Sequence, residues 1–362
     1  MEKYKTLHNH FKFNGSSYTI EELQSLSRDY VKKGATNERS IGEFLLNWLD
    51  ENETVKVSTS GSTGKPKEVE LYKSKMVNSA LATGEYFKLK PKDSALLCLS
   101  ADYIAGKMML VRAMVLGLEL DCVSPSSDPL NVTNGKHYDF CAMVPMQLQN
   151  SINTINQINT LIVGGAAVSQ VLKNKIQNTS CHIYETYGMT ETITHVAIKK
   201  INNINFNLGV TDATYKALPN IAFSIDERNC LVINAPKVSD EVVVTNDVVN
   251  LISEIEFEWL GRFDSIINSG GVKLIPEQIE SKLTPIITNR FFVAGLLDEK
   301  LGQKLVLIVE GEISAPTLMT EISQLSSISK YEKPKEVYSL PIFIETKTGK
   351  IQRKETIELL NL

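Results

Sequence analysis

The sequence predicts an α/β protein in two parts: a large N-terminal domain of sheets flanked by helices, with a small strand-rich subdomain, and then a small α+β C-terminal domain. Three observations predict it. From Thr54 onward, short apolar or β-branched runs are separated by helical patterns. After Gly209 the chain turns strand-rich, and beyond Asp264 a new pattern starts. At 362 residues the chain is also too long for one ordinary core.

Each element follows in order. Ile20 to Val31 places Leu23, Leu26 and Tyr30 at helical spacing, and Ile41 to Leu49 resembles a second helix. Leu96 to Leu99, Phe140 to Val144, Leu161 to Val163 and Ile183 to Tyr187 read as strands of a buried parallel sheet. Ile221 to Ile225, Leu231 to Ile233 and Glu241 to Thr245 read as a small sheet, with Asp226-Glu227-Arg228-Asn229 as a turn. Past Asp264 come a Gly270-Gly271 turn, a helix from about Pro276 carrying Ile279 and Leu283, strands at Phe291 to Leu297 and Leu305 to Glu310, and a helix from Ala315. Domain boundaries are expected at 1–263 and 264–362.

Composition narrows the function. A net charge of −4 gives no electrostatic footprint for nucleic acid, so that partner is disfavoured. The five cysteines (Cys98, Cys122, Cys141, Cys181, Cys230) are odd in number, widely spaced and without a C-x-x-C pair, and read as reduced core thiols of a cytoplasmic protein. The N-terminus has no apolar signal core. The most apolar stretch, Met108 to Val123, is interrupted by Arg112, Glu119 and Asp121, so no membrane insertion is expected.

The segment Ser58-Thr59-Ser60-Gly61-Ser62-Thr63-Gly64-Lys65-Pro66-Lys67 lies between strand patterns. Its glycines free backbone N–H groups to turn inward, and its hydroxyls and lysines suit a polyphosphate; an arbitrary Ser/Gly cluster is otherwise a solvated hairpin loop. It is not a Walker A loop, because Thr59 and Pro66 stand where Gly and Ser/Thr belong, and no G-x-G-x-x-G follows a strand.

This Ser/Thr-rich, Lys-Pro-Lys segment resembles the signature of the acyl-adenylating (AMP-binding) superfamily, which includes acyl-CoA synthetases, peptide-synthetase adenylation domains and firefly luciferase. Further motifs follow in family order. Val163-Gly164-Gly165-Ala166-Ala167 resembles the loop bordering adenine and the acyl pocket, although a Gly-Gly after a buried strand is by itself a tight turn. In Tyr187-Gly188-Met189-Thr190-Glu191 the resemblance implies an aromatic on adenine, a threonine on phosphate and a glutamate on Mg²⁺. Val244-Thr245-Asn246-Asp247 is similar to the segment whose aspartate binds the ribose hydroxyls, with Asn246 in place of the family glycine and able to keep a positive-φ turn. Gly261-Arg262-Phe263-Asp264 resembles the segment of a ribose-contacting arginine and a hinge aspartate. Ser269-Gly270-Gly271-Val272-Lys273 resembles the loop lining the pantetheine tunnel, and Thr346 to Arg353 resembles the C-terminal motif whose adenylation lysine is Lys350. Lys347, Arg353 and Lys354 around it otherwise read as a solvated basic tail.

The resemblance implies a mobile C-terminal lid and two half-reactions. A carboxylic acid and Mg-ATP give an acyl-adenylate and pyrophosphate; rotation about Asp264 then withdraws Lys350 and admits coenzyme A. Cofactors and co-substrates are thus ATP, Mg²⁺ and CoA, and a homodimer is left open. The chain departs from the family by carrying about a hundred fewer residues before the phosphate loop. That trimming is similar to the o-succinylbenzoate-CoA ligases of menaquinone synthesis, and implies 2-succinylbenzoate as the acid. A second departure falls at Leu99 to Lys107, where Tyr103 takes the place of an aromatic gate. Lys107 and Arg112 are candidates to pair with a second substrate carboxylate, each at least as readable as a solvated cation, and His195 is a candidate acyl-pocket residue, equally readable as a structural histidine. Gly164 joins this acyl set. Alternatives are another acyl- or aryl-CoA ligase, an enzyme loading a carrier protein, and a non-catalytic nucleotide-binding regulatory homologue, which the retained Lys350, Glu191 and Asp247 argue against.

Overall fold

A computed structural model describes residues 6–58, 68–203, 214–345 and 351–360. The chain forms two compact units: Met1–Phe223 with Ile233–Val243 and Ser253–Glu256, and Ser224–Val232 with Val244–Ile252 and Phe257–Leu362.

The first unit opens with β1 (Lys12–Phe13), α1 (Ile20–Lys33) and α2 (Thr36–Trp48). α1 begins where the sequence supplies a capping box: the Thr19 hydroxyl accepts from the Glu22 N–H, and the Glu22 carboxylate accepts from the Thr19 N–H. α2 buries Ile41, Phe44, Leu45 and Trp48, each contributing about 1.5–3 kcal/mol of transfer free energy. The antiparallel hairpin of β2 (Thr54–Ser58) and β3 (Glu68–Tyr72) follows and leads into α3 (Lys73–Phe87). Lys73 is fully buried, with its ammonium 2.8 Å from Asp50 Oδ1 and 3.1 Å from the Asp50 carbonyl, which ties the hairpin's exit to the end of α2.

The remaining elements of this unit are β4 (Ser94–Leu97), α4 (Ile104–Leu116), β5 (Glu119–Cys122), β6 (Tyr138–Met143), α5 (Pro145–Asn150), β7 (Ile158–Val163), α6 (Gln170–Lys175), β8 (His182–Gly188), β9 (His195–Lys200) and β10 (Tyr215–Ala217). Their sheet order is β1-β5-β4-β6-β7-β8-β9-β10. The pairs from β1 to β8 are parallel, and those from β8 to β10 are antiparallel. Leu96, Cys98, Cys141, Leu161, Val163, Val168, Leu172 and Ile183 share one core cluster. The carboxyl ends of the parallel strands thereby become the place where loops gather, as open α/β sheets favour.

Strands β11 (Ala222–Ile225), β12 (Cys230–Asn234), β13 (Val243–Ser253) and β14 (Glu256–Arg262) lie in the order β14-β13-β12-β11, and their residues fall in both units. The Asp226–Asn229 turn forms as expected: the Asp226 carboxylate accepts from the N–H groups of Arg228 and Cys230. One expectation fails here. Asn246 does not adopt a positive φ and sits inside β13, which runs eleven residues from Val243 rather than stopping at Thr245. Arg228 explains the difference, because it donates to the Asn246 side chain (3.0 Å) and the Thr245 carbonyl (3.1 Å) and holds the segment extended.

In the second unit β15 (Ile267–Ser269), β16 (Val272–Leu274), α7 (Pro276–Leu283), β17 (Phe291–Asp298), β18 (Gly302–Glu310), α8 (Ala315–Gln324), β19 (Glu336–Leu340) and α9 (Arg353–Glu358) follow in order. The sheet runs β16-β15-β18-β17, and β19 pairs parallel with β18. Proline opens α7 at a position where its missing N–H costs nothing. Ile279, Leu283, Val293, Leu305, Leu307 and Ile322 form this unit's own core. The described cysteines are all free, and among the described residues no helix is long and apolar enough to cross a membrane.

Candidate active site

Two strand ends of the first unit carry the central motifs. β7 ends at Val163 and delivers Gly164 to Ala167, of which Gly165 and Ala167 are exposed and Ala166 is partly so. β8 ends at Gly188, next to a register shift in which Tyr187 pairs with Ala197 and Gly188 with His195, leaving Val196 as the extra residue of a bulge. Gly188 has no room for a side chain: a Cβ there would lie 2.2 Å from the Thr194 carbonyl oxygen. The half-buried Tyr187 ring packs at 5.6 Å on Tyr215.

Thr190 and Glu191 sit in a 3-10 turn spanning Thr190–Thr192. Thr192 is buried, and its hydroxyl engages the Met189 N–H (3.1 Å), the Met189 carbonyl (3.0 Å) and the Thr194 carbonyl (2.9 Å). The next residue, Ile193, has φ +68° and ψ −56°, and the Thr194 N–H donates to the Thr192 carbonyl at 2.7 Å. This is a γ-turn centred on a β-branched residue, a strained conformation found where a loop is held by its surroundings. Glu191 projects from it as an exposed carboxylate. Among the described residues no group of three His, Cys, Asp or Glu is arranged to hold a metal. Glu191 suits an ion that takes one carboxylate and completes its shell with phosphate oxygens and water, as Mg²⁺ does.

His195, at the start of β9, is 6% exposed and gathers three elements. Its Nε2 is 3.4 Å from Thr83 Oγ1 on α3, its Nδ1 is 3.5 Å from Arg112 Nη2 on α4, and the Thr194 hydroxyl is 3.3 Å from Nδ1. A guanidinium only donates, so Nδ1 accepts and Nε2 carries the proton. Burial, and secondarily the Arg112 charge, keep the imidazole well below its usual pKa, so it is neutral at pH 7.

Arg112 is 1% exposed, and burial lowers its pKa to about 9, which leaves it cationic at neutral pH. Its recorded contacts are Thr83 Oγ1 (3.4 Å), His195 Nδ1 and the Met109 sulfur (3.8 Å), with no carboxylate among the described residues. A buried guanidinium without a counter-ion is costly and calls for an anion. A cleft of about 230 Å³ is bordered by His195, Val196, Leu218, Ile221, Ala82 and Lys237, among others; it reaches His195, and Arg112 lies behind that ring rather than in the cleft wall. Lys107 is different: burial lowers its pKa, and its ammonium donates to the Asp102 carbonyl at 3.1 Å. Tyr103 caps α4 and is half exposed.

The second unit collects another group. Asp247 is buried; its Oδ1 accepts from Trp259 Nε1 at 3.1 Å and lies 3.8 Å from Arg262 Nη1. Arg262 grips Asp264 with two hydrogen bonds of 3.0 and 2.9 Å, which hold the Asp264 carboxyl below its usual range. Gly270 and Gly271, at φ +60° and +82°, make the two-residue turn between β15 and β16, where only residues tolerant of positive φ fit. Lys273 is exposed on β16 opposite Asn268. Arg353 is not a free tail charge: it meets Glu280 fork to fork at 2.8 and 2.9 Å, and its guanidinium lies over the Phe292 ring. Thr59, Ser60, Gly61, Ser62, Thr63, Gly64, Lys67 and Lys350 lie outside the described residues.

A family model described as AMP-binding enzyme matches residues 35–235. A solved structure of an acyl-CoA synthetase (AMP-forming)/AMP-acid ligase II-like protein from Dyadobacter fermentans is 36% identical, covers 93% of this chain and 98% of that chain, and superposes with a TM-score of 0.61. A 2-succinylbenzoate–CoA ligase of Lactococcus lactis is 24% identical over 330 residues, 84% of this chain and 71% of the relative. The fold is also that of an o-succinylbenzoate coenzyme A synthetase from Bacillus subtilis solved with ATP and magnesium ion, at 19% identity, a TM-score of 0.71, and coverage of 95% of this chain and 83% of that chain.

Proposed function

The chain belongs to the AMP-binding enzyme family, and on that premise we propose that it joins a carboxylic acid to coenzyme A through an acyl-adenylate, with 2-succinylbenzoate as the acid. The observation that carries the substrate reading is Arg112: a cation buried against His195, with no carboxylate beside it among the described residues, fits an acid that brings a second carboxylate of its own. The names of the relatives support the same reading.

In this reading Tyr187 packs on adenine beside the Gly165–Ala167 loop, Thr190 contacts phosphate, and the Ser/Thr-rich segment 59–67 holds the polyphosphate. Asp247 and Arg262 bind the ribose. A magnesium ion held by Glu191 and phosphate oxygens would offset charge as pyrophosphate leaves. Lys350 stabilises the charge that develops while the carboxylate attacks the α-phosphate. Asp264 is the hinge between a body of residues 1–263 and a lid of residues 264–362; the lid then brings Gly270, Gly271 and Lys273 to the pantetheine path. Tyr103, Gly164, Lys107 and His195 border the acyl group, and neutral His195 adds no charge that would compete with Arg112.

Purified protein incubated with ATP and a panel of acids, with and without CoA, tests this. Thioester with 2-succinylbenzoate is the expected product. Adenylate with no thioester would favour a carrier-protein thiol, thioester only with other acids would replace the substrate, and no ATP–pyrophosphate exchange with any acid would favour a regulatory homologue. A cytoplasmic homodimer is the assembly we would look for by light scattering.

A further inference from the structure

Glu185 sits on β8 two residues before Tyr187 and is 4% exposed. Because strand side chains alternate, Ile183, Glu185 and Tyr187 share a face, and Lys199 of β9 stands directly opposite Glu185. The neighbouring Ile183 belongs to the apolar core with Val168 and Leu172, so a valine or isoleucine would suit position 185 on packing grounds alone. Instead the carboxylate meets two ammonium groups, Lys173 of α6 at 3.0 Å and Lys199 at 3.1 Å, and accepts the Val168 N–H at 2.9 Å. Burial pushes its pKa up, but Lys199, Lys173 and the Val168 N–H outweigh that and hold it below the usual range, so it is ionised.

The partners matter more than the charge. Val168 is the first residue after Gly164–Ala167, so one oxygen of Glu185 fixes the end of that loop. The other oxygen holds Lys199, whose ammonium lies over the Tyr215 ring at 4.4 Å, and Tyr215 packs on Tyr187. Buried ion clusters add little to stability compared with apolar packing, while three donors converging on one carboxylate define geometry.

We propose that Glu185 is a positioning residue for nucleotide binding, which sets the gap between Tyr187 and the Gly165–Ala167 loop by anchoring both walls. It touches no substrate and acts through Val168 and through Lys199 and Tyr215. This rests on the assignment of those two walls to adenine.

The test compares wild type with Glu185→Gln, which keeps the size and an acceptor for Val168 but removes the charge that gathers the lysines. ATP affinity by titration calorimetry and the KM for ATP are expected to weaken about tenfold, while the KM values for acid and CoA stay within about twofold. Lys199→Met, which keeps an apolar stem over Tyr215, is expected to weaken ATP about threefold and serves if Glu185→Gln folds poorly. Glu185→Asp, with the charge retained, is expected to recover part of the affinity. A fall in Tm with ATP affinity unchanged, or equal losses for all three substrates, overturns the proposal. A wild type that binds ATP yet yields no thioester would defeat the functional reading alone, because the ATP titrations still compare directly.

Discussion

Two clusters of charged residues, one in each unit, are held in opposite ways. In the first, Arg112, His195 and Glu185 are buried and meet partners from distant parts of the chain: Thr83 with His195 and Arg112, Lys173 and Lys199 with Glu185. In the second, Asp247 is buried against Trp259, but Arg262 and Asp264 are exposed and hold each other two residues apart, and the Gly270–Gly271 turn closes on itself. Buried, long-range polar contacts fix a site in advance of its ligand; exposed, local ones can be remade without disturbing a core. The first arrangement suits a binding pocket and the second suits a part that changes position between half-reactions.

The largest expected effect breaks the comparison at its functional end. Lys350→Ala should lower adenylation by at least about a thousandfold while thioester formation from supplied acyl-adenylate is retained; single-turnover assays of each step read this, and equal loss of both would deny the second unit a step-specific role. Arg112→Met comes next. The KM for 2-succinylbenzoate should rise about a hundredfold, as for loss of a charge-assisted bidentate contact, yet Tm should hold or rise because a buried cation with no carboxylate beside it among the described residues is replaced by an apolar side chain of similar length. A drop in Tm with substrate binding intact would make Arg112 structural.

His195 gives a smaller effect with a defined sign. Its folded pKa lies well below the unfolded value near 6.5, so the unfolded chain binds the extra proton and stability falls as pH drops below about 6.5, by about 1.4 kcal/mol per unit. Denaturant titrations from pH 7 to 5 should show that slope, and His195→Gln should remove its share. Smallest of all, Asp264→Ala should change stability by less than about 0.5 kcal/mol, since Arg262 and Asp264 are both exposed; a loss of several times that would place the pair with the buried class.

The same contrast decides what was legible in the sequence. Local features came through: the helix from Ile20, the helix from about Pro276, the Asp226–Asn229 turn and the Gly-Gly hairpin all depend on residues within a few positions of one another. The Arg112–His195 contact spans 83 residues and no spacing announces it. Glu185 did leave a trace, as a lone charge on the face of β8 shared by Ile183 and Tyr187, and strict attention to strand alternation would have found it. Asn246 misled because its turn propensity was judged alone, whereas Arg228 and the length of β13 decide its backbone. Arg353 looked like tail charge because Glu280, its partner, lies 73 residues earlier.

Ile193 leaves a consequence for anyone who would redesign this loop. Its backbone sits where glycine is most at ease, while its side chain is 2% exposed and fills apolar space that glycine would empty. The two demands have no common solution among the ordinary amino acids. Saturation mutagenesis should therefore find position 193 to be a local optimum of poor quality, where every replacement trades conformational ease against packing and none improves both.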